Sequence, residues 1–264
     1  MLSTPLRSIW LVITLTSITA ATWANSLTND WQSPAYIEKA FSEIALKNEY
    51  RQTDGRVIKW QQPIYYQYQY YFLPKNDLVT RLTDAHLAQL KNITKHPIQN
   101  SNTVHPANFK IIFTKDRYYQ MAIDTFAPSD VKNLSRESHC MGTYHLNKQH
   151  EIVHAAIIIP VDHAMSRGLL PACIVEEITQ VMGLPNDSDW VNPSIANDKS
   201  RIDLLTGLDY IMLKLLYSPD VKAGMNQNDI QPIVRRELQF YQRNGLIRKA
   251  GHLVNKAGLY PLLN

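Results

Sequence analysis

The feature that most limits how this chain can fold is an apolar run that ends at a proline, from Ile152 to Pro160. Five of its nine residues are isoleucine or valine, whose β-branched side chains are stiff and favour strands over helices. Pro160 suits the end of a strand and stops a helix from continuing. The run therefore predicts a strand of about eight residues, with His150, Ile152 and His154 on one face.

The same region contains the letters HEIVH, from His150 to His154, which match the zinc-peptidase pattern His-Glu-x-x-His. Two histidine nitrogens must each lie about 2.0–2.1 Å from one zinc ion, and residues four apart achieve this on a helix. On a strand they stand about 13 Å apart, which is too far. The strand prediction therefore argues against a zinc site. The alternative is a helical segment in which His150 and His154 hold zinc together with Glu176 or Glu177, and Glu151 is the general base.

Charge and cysteine content limit the partners and the compartment. The net charge is +4 and dispersed, so we expect no nucleic-acid partner. Residues 1–24 combine a basic start, a short apolar stretch and small residues, which predicts a signal peptide and a secreted or periplasmic mature chain with no transmembrane segment. In an oxidising compartment Cys140 and Cys173 are expected to form a disulfide; the rival interpretation is a reactive Cys140 beside His139.

Periodicity in the rest of the mature chain predicts an α+β fold. Ser33 can cap a first helix, and alternate aromatic residues from Ile64 to Phe72 share one face of a strand. Residues from Pro74 to about Ile93 have helical spacing, and FKIIF, residues 109–113, is a short strand. We expect a twisted mixed sheet made of these strands.

A second group of elements completes the predicted domain. A helix from about Cys173 to Met182 should pack beneath the sheet, and a helical C-terminal part should follow. We expect a single domain over residues 25–243 and a polar, basic extension over residues 244–264.

The most specific motif is CIVEEITQVMGLPND, from Cys173 to Asp187. Its first part has the pattern of an amphipathic helix, Gly183 is a natural C-terminal stop, and Pro185 prevents continuation. Glu176 and Gln180 are four residues apart, so they share one face of that helix.

The letters EEITQVMGLPND resemble, residue for residue, the metzincin peptidase pattern HExxHxxGLPHD. The resemblance places Glu176, Gln180 and Asn186 at the three ligand positions, where metzincins have histidine. It places Glu177 at the position of the general base, and Asp187 directly after the third ligand. The resemblance implies a metzincin-like or zincin-like fold in which the metal site is degenerate.

Two later segments also resemble metzincin parts. Residues 194–197 are similar to the turn that carries a methionine beneath the metal, although here the methionine is absent. Residues 204–220 are similar to the closing helix, and Thr206 and Asp209 form a capping box at its start. The supporting positions that the resemblance implies are Gly183, Asp187, Ser194, Asn197 and Asp198.

The chain also resembles a domain-of-unknown-function family of secreted proteobacterial proteins. The shared pattern is EExxQxxGLxND, then SIxND, then LTxxDxxxLxxLY, which here is found at residues 176–187, 194–198 and 205–217. The similarity covers most of the mature chain.

Three functions follow from these motifs. The first is a secreted hydrolase with an altered site and Glu177 as its general base; the second is a catalytically silent binding or envelope-interaction module; the third is the HEIVH zinc protease. Glu176, Gln180 and Asn186 would offer oxygen ligands, which suit hard cations better than zinc and bind weakly without a cage. We therefore expect no cofactor beyond a weakly held divalent metal.

Overall fold

A computed structural model describes residues 30–48, 53–128 and 134–263 of the 264-residue chain. The expected signal peptide lies outside these residues, and the compact unit described here begins at Trp31. Within the described ranges, no helix combines the length and apolar content that crossing a bilayer would require.

The predicted strands and helices occur in the expected order, and the structure adds two strands, at Ile98–Asn100 and Met141–Leu146, and three short helices between residues 119 and 166 that were not predicted. The strands are β1 (Ile64–Tyr70), β2 (Ile98–Asn100), β3 (Phe109–Thr114), β4 (Met141–Leu146) and β5 (Ile152–Pro160). The helices are α1 (Pro34–Leu46), α2 (Asp77–Thr94), α3 (Tyr119–Phe126), α4 (Leu134–Glu137), α5 (Val161–Ser166), α6 (Leu170–Gln180), α7 (Gly207–Leu216), α8 (Gln227–Arg243), α9 (Leu246–Val254) and α10 (Tyr260–Leu263). Short 3-10 turns span Asp30–Gln32 and Asp116–Tyr118.

The five strands form one sheet in the order β2-β1-β3-β5-β4. The first four of these run parallel, and β4 pairs antiparallel with β5 at the edge. The chain is therefore a mixed α/β protein with a mostly parallel sheet. Helix α6 contacts β4, β5 and α2. The helix that carries the EExxQ motif therefore packs against the sheet, as the sequence predicts, although the edge strand β4 was not predicted.

The apolar run at the start of the sequence analysis forms β5, which confirms the predicted strand. However, Leu146 pairs with Ile152 and His145 pairs with His154, so Val153 has no counterpart on β4. This bulge inserts one residue and reverses the alternation of faces. Ile152 is consequently buried while His154 is exposed, and the prediction that they share a face is wrong.

Of two further details of the sequence prediction, one is wrong and one is confirmed. Phe72 was expected to continue the face of β1, but the strand ends at Tyr70 and Phe72 has a positive φ of 50° and is 56% exposed. The helix cap at Ser33 is confirmed, because its hydroxyl oxygen accepts a hydrogen bond from the backbone N–H of Tyr36 at 3.1 Å.

The C-terminal residues are part of the core, whereas residues 244–264 were expected to be an appended extension. Ile247, Ala250 and Val254 of α9 are buried, and α9 packs against α7. The two helices approach so closely that a Cβ at Gly207 would lie 2.8 Å from the backbone nitrogen of Gly251. Basic residues alternate with the apolar residues that make this packing. Because of them the segment has the polar, basic composition that predicted an extension.

One buried cation connects the segment before β1 to the end of α7. The Lys59 side chain is 5% exposed, and its ammonium donates to the carbonyl oxygens of Leu216 at 2.8 Å and Val221 at 3.0 Å. Burial, with a smaller contribution from the charge of Lys222, lowers the pKa of Lys59 to about 8.

We expect the stability of the protein to depend on pH through Lys59. The unfolded chain holds this proton up to about pH 10.4, whereas the folded protein releases it near pH 8, so the unfolded state binds more protons between these values. Between pH 7 and pH 9.5 the free energy of unfolding of the wild type should therefore rise by about 2 kcal/mol relative to that of Lys59→Met. Urea unfolding at both pH values measures this difference, and an unchanged difference would contradict the buried, easily deprotonated lysine.

Candidate functional site

The first element of the candidate site is α6, which carries both glutamates of the EExxQ motif. Its first turns are tied to the start of β4 by a disulfide between Cys140 and Cys173, with a Cα–Cα distance of 5.8 Å. The predicted disulfide is thus confirmed, and the interpretation of Cys140 as a reactive thiol is not. The bond holds α6 against the edge strand of the sheet.

Glu177, the candidate general base, lies on the side of α6 that faces β4. Its side chain is only 7% exposed, and a Cβ at Gly142 of β4 would lie 3.0 Å from its Oε2. The hydroxyl of Tyr119 lies near enough to Glu177 for its pKa to be affected. Burial raises the pKa of Tyr119, a hydrogen bond with Ser138 lowers it, and the negative charge of Glu177 raises it further. The carboxylate is therefore enclosed between strand and helix.

Glu176 and Gln180 lie on the other side of α6, where both line one small cavity. Its remaining polar lining comes from Thr179 and Asp209, and its apolar lining includes Ile195. The cavity measures about 10 Å³, which is close to the smallest space that can hold one water molecule. It has no room for a peptide or another substrate.

The chain reverses direction after α6 at Gly183, as the sequence predicts. Gly183 has φ of +112°, and a Cβ there would lie 2.2 Å from the carbonyl oxygen of Ile58, so no other residue fits without displacement. Two side chains hold the turn from outside: the indole N–H of Trp60 donates to the carbonyl oxygen of Val181, and the hydroxyl of Tyr217 donates to that of Met182.

The reversal brings Asp187 to Gln180. The amide nitrogen of Gln180 donates to a carboxylate oxygen of Asp187 at 2.9 Å. Asn186, which the metzincin overlay places at the third ligand position, is 6% exposed, and its amide nitrogen donates to the carbonyl oxygens of Glu43 and Asp187. The residue in hydrogen-bond contact with Gln180 is thus Asp187, one position later than the overlay implies.

The segment that resembles the metzincin turn lies beneath the cavity and is anchored by Asp209. The carboxylate of Asp209 accepts from the Ser194 hydroxyl at 2.5 Å, the Ile195 backbone N–H at 3.2 Å and the Thr206 backbone N–H at 2.7 Å. The last of these completes the predicted capping box of α7. Burial raises the pKa of Asp209, and these hydrogen bonds oppose the rise.

The other supporting positions have structural contacts or face solvent. The side-chain amide of Asn197 donates to the carbonyl oxygen of Val191 at 2.8 Å, and its oxygen accepts from the backbone N–H of Lys199. Asp198 is exposed. Asn197 therefore stabilises the turn, and Asp198 lies at its surface.

A scan against protein-family models matches residues 34–236 to the family described as Protein of unknown function (DUF2927). The chain belongs to this family. The match covers α1 to the first part of α8, and it therefore includes every residue of the candidate site. A search of the curated proteins and a search of the solved structures each found no match.

The HEIVH segment of this DUF2927 chain has no helix. His150 lies in the turn before β5 with φ of 62°, and its ring nitrogen is 3.7 Å from a carboxylate oxygen of Asp54. His154 is on the strand, opposite His145. Among the residues that the structure describes, no group of three or more His, Cys, Asp or Glu side chains is arranged to hold a metal ion.

Two features beside the site were not predicted from the sequence. Gly142 gave no signal, because nothing in a sequence marks a glycine whose neighbour across the fold is a buried glutamate. The ring nitrogens of His139 and His163 lie 2.9 Å apart, although 24 residues separate them in the chain. Their positions just before β4 and just after β5 could have suggested the pairing, since antiparallel neighbours bring such ends together.

Proposed function

We propose that this DUF2927 protein is a secreted or periplasmic, metzincin-like module that is catalytically silent and acts by binding. The observation that carries this proposal is that the amides replacing two ligand histidines donate within the protein itself, Gln180 to Asp187 and Asn186 to Glu43 and Asp187. Buried polar groups that satisfy one another in this way stabilise a fold and leave no reactive group free for a substrate.

The metzincin-like part of the proposal is supported by the order of elements around α6. A helix with two glutamates lies beneath an antiparallel edge strand, reverses at a glycine and is followed by a turn whose Ile195 and Ala196 line the same cavity as Glu176 and Gln180. The motif resemblance predicts the helix, the reversal and the turn beneath the former metal position, but not the edge strand.

The silent part of the proposal is supported by the lack of space. The cavity between Glu176, Gln180 and the turn has room for about one water molecule. Glu177 is covered by β4 at Gly142, so a substrate could reach its carboxylate only after the edge strand moved.

The hydrolase remains the second candidate, because the enclosed carboxylate of Glu177 near Tyr119 is an environment that enzymes use for acid–base groups. An assay of peptide-library cleavage by mass spectrometry separates the two functions. We expect the wild type and Glu177→Gln to give the same product profile as buffer alone, with and without added Zn²⁺. Cleavage that is present in the wild type and lost in Glu177→Gln, but retained in Glu176→Gln, would establish the hydrolase.

Restoring histidines tests the metzincin-like geometry independently of activity. Glu176→His with Gln180→His places two imidazoles one helical turn apart, and adding Asn186→His supplies the third ligand of the family pattern. We expect the triple variant to bind Zn²⁺ at least tenfold more tightly than the double variant, because a third protein ligand completes the site. Equal affinities would show that position 186 does not face the other two and would contradict the overlay.

A further inference from the structure

A histidine pair lies at the carboxyl end of the sheet, apart from the cavity beneath α6. Asp116 follows β3, His163 lies on α5 directly after β5, and His139 precedes β4. Because β4 runs antiparallel to β5, its start meets the end of β5, and all three residues reach the same edge. In sheets with parallel strands, ligands commonly bind outside the carboxyl ends of the strands.

The side chains of His139, His163 and Asp116 lie in a row, with their nitrogen and oxygen atoms close to one another. The Nδ1 of His139 lies 2.9 Å from the Nε2 of His163, and the two rings are 5.2 Å apart between centroids. On the opposite side of the same ring, the Nδ1 of His163 lies 3.6 Å from a carboxylate oxygen of Asp116. Two imidazole nitrogens from different elements thus face one another, and a carboxylate stands behind one of them.

The backbone around the pair is fixed on both sides. The disulfide joins Cys140, next to His139, to α6, and the backbone N–H of Leu169 donates to Ala164, which connects α5 to α6. The backbone N–H of Asp116 donates to the carboxylate of Asp162 at 2.7 Å. The backbone that carries the two histidines is therefore held in place before any ligand arrives.

We propose that His139 and His163 bind a divalent transition-metal ion, with Asp116 orienting His163 from behind. Two nitrogens at the zinc bond length around a tetrahedral ion are about 3.3 Å apart. The ion would replace the hydrogen bond between the rings, so the nitrogens must separate by a few tenths of an ångström and both rings must turn to point at the ion. A carboxylate hydrogen-bonded to the far nitrogen is the usual partner of a metal-bound histidine, because it fixes the tautomer that leaves the near nitrogen free to bind. Asp116, at 3.6 Å, must move closer to make that hydrogen bond.

The same arrangement predicts which ions bind and how firmly. Two imidazoles favour Cu²⁺ over Ni²⁺ and Zn²⁺, and they do not favour Mg²⁺ or Ca²⁺, which take oxygen ligands. The carboxylate of Asp116 lies beside His163 and adds negative charge at the site. With two protein ligands and water at the other positions, the ion is exchangeable and bound more weakly than at a structural four-ligand site.

Calorimetric titration of the untagged, EDTA-stripped mature protein with Ni²⁺ and with Zn²⁺ tests this site. We expect one ion per chain, and a loss of at least tenfold in affinity in His139→Ala and in His163→Ala. Asp116→Asn should weaken binding by about 10-fold, as loss of a supporting carboxylate does elsewhere. Mg²⁺ and Ca²⁺ should give no heat of binding.

His252→Ala, which removes an exposed histidine on α9, is the matched control and should bind like the wild type. Thermal unfolding without metal identifies any variant that fails to fold, and His139→Gln and His163→Gln, which keep polar side chains, then replace it. Binding that is unchanged in both histidine variants, or lost in His154→Ala instead, would overturn the proposal. None of these outcomes depends on whether the protein hydrolyses a substrate.

Discussion

Replacing Gly183 with alanine is expected to lower the free energy of unfolding by about 3–5 kcal/mol. The backbone at this position has φ of +112°, and the new methyl group would lie 2.2 Å from the carbonyl oxygen of Ile58. The strain costs about 1–2 kcal/mol, and relieving the contact requires a backbone shift in a segment held by Trp60 and Lys59. The melting temperature should fall by about 10 °C.

Gly168→Ala is the matched control for this variant. Gly168 also has a positive φ, +72°, but no atom lies within 4 Å of its Cβ position. It should lose only the conformational part, about 1 kcal/mol, so the difference between the two variants measures the close approach at Ile58. If both variants lost the same free energy of unfolding, the chain reversal after α6 would be less tightly packed than the structure shows.

Replacing Asp209 with alanine is expected to cost about 3–5 kcal/mol, because it leaves buried donors without acceptors. The carboxylate accepts from the Ser194 hydroxyl and from the backbone N–H groups of Ile195 and Thr206. The variant would lose the N-terminal cap of α7 and the anchor of the turn beneath the cavity together. Denaturant unfolding followed by circular dichroism gives the change directly.

Asp209→Asn should be much milder, with a loss of about 1 kcal/mol. Its side-chain oxygen can accept from the two backbone donors, and its amide can donate to Ser194. Burial raises the pKa of Asp209, so the charged form is costly in the folded protein, and this contribution to stability falls as pH rises from about 3.9 through the folded-state pKa. Asparagine does not ionise, so this pH dependence should vanish in the variant.

Part of the secondary structure could be predicted because local signals agreed with packing, whereas β2, β4 and α3 to α5 were not predicted. Apolar spacing and capping residues marked α1, α2 and α7, and β-branched content marked β5. The bulge at Val153 could not be predicted, since the same letters fit an unbroken alternation, and only the pairing of Leu146 with Ile152 reveals it. The packing of α9 was hidden for a similar reason, because burial depends on the partner surface of α7.

Features of the candidate site that depend on neighbouring residues could be predicted from the sequence. Features that depend on residues far away in the chain could not. The reversal at Gly183 follows from residue type, and the disulfide was predicted from an even pair of cysteines. The sequence does not show which of Asn186 and Asp187 contacts Gln180, because the outcome depends on the carbonyl oxygen of Glu43, 143 residues earlier in the chain. The His139–His163 pair likewise exists only through the neighbouring positions of β4 and β5.

The position of α9 also determines when the protein can fold during synthesis. A Cβ at Gly207 would contact both Trp31, where the compact unit begins, and Gly251, near its end. The two ends of the compact unit therefore meet at the start of α7, and α1 likewise packs against α8. These contacts join segments far apart in the chain, so the full set can form only after α9 has been synthesised.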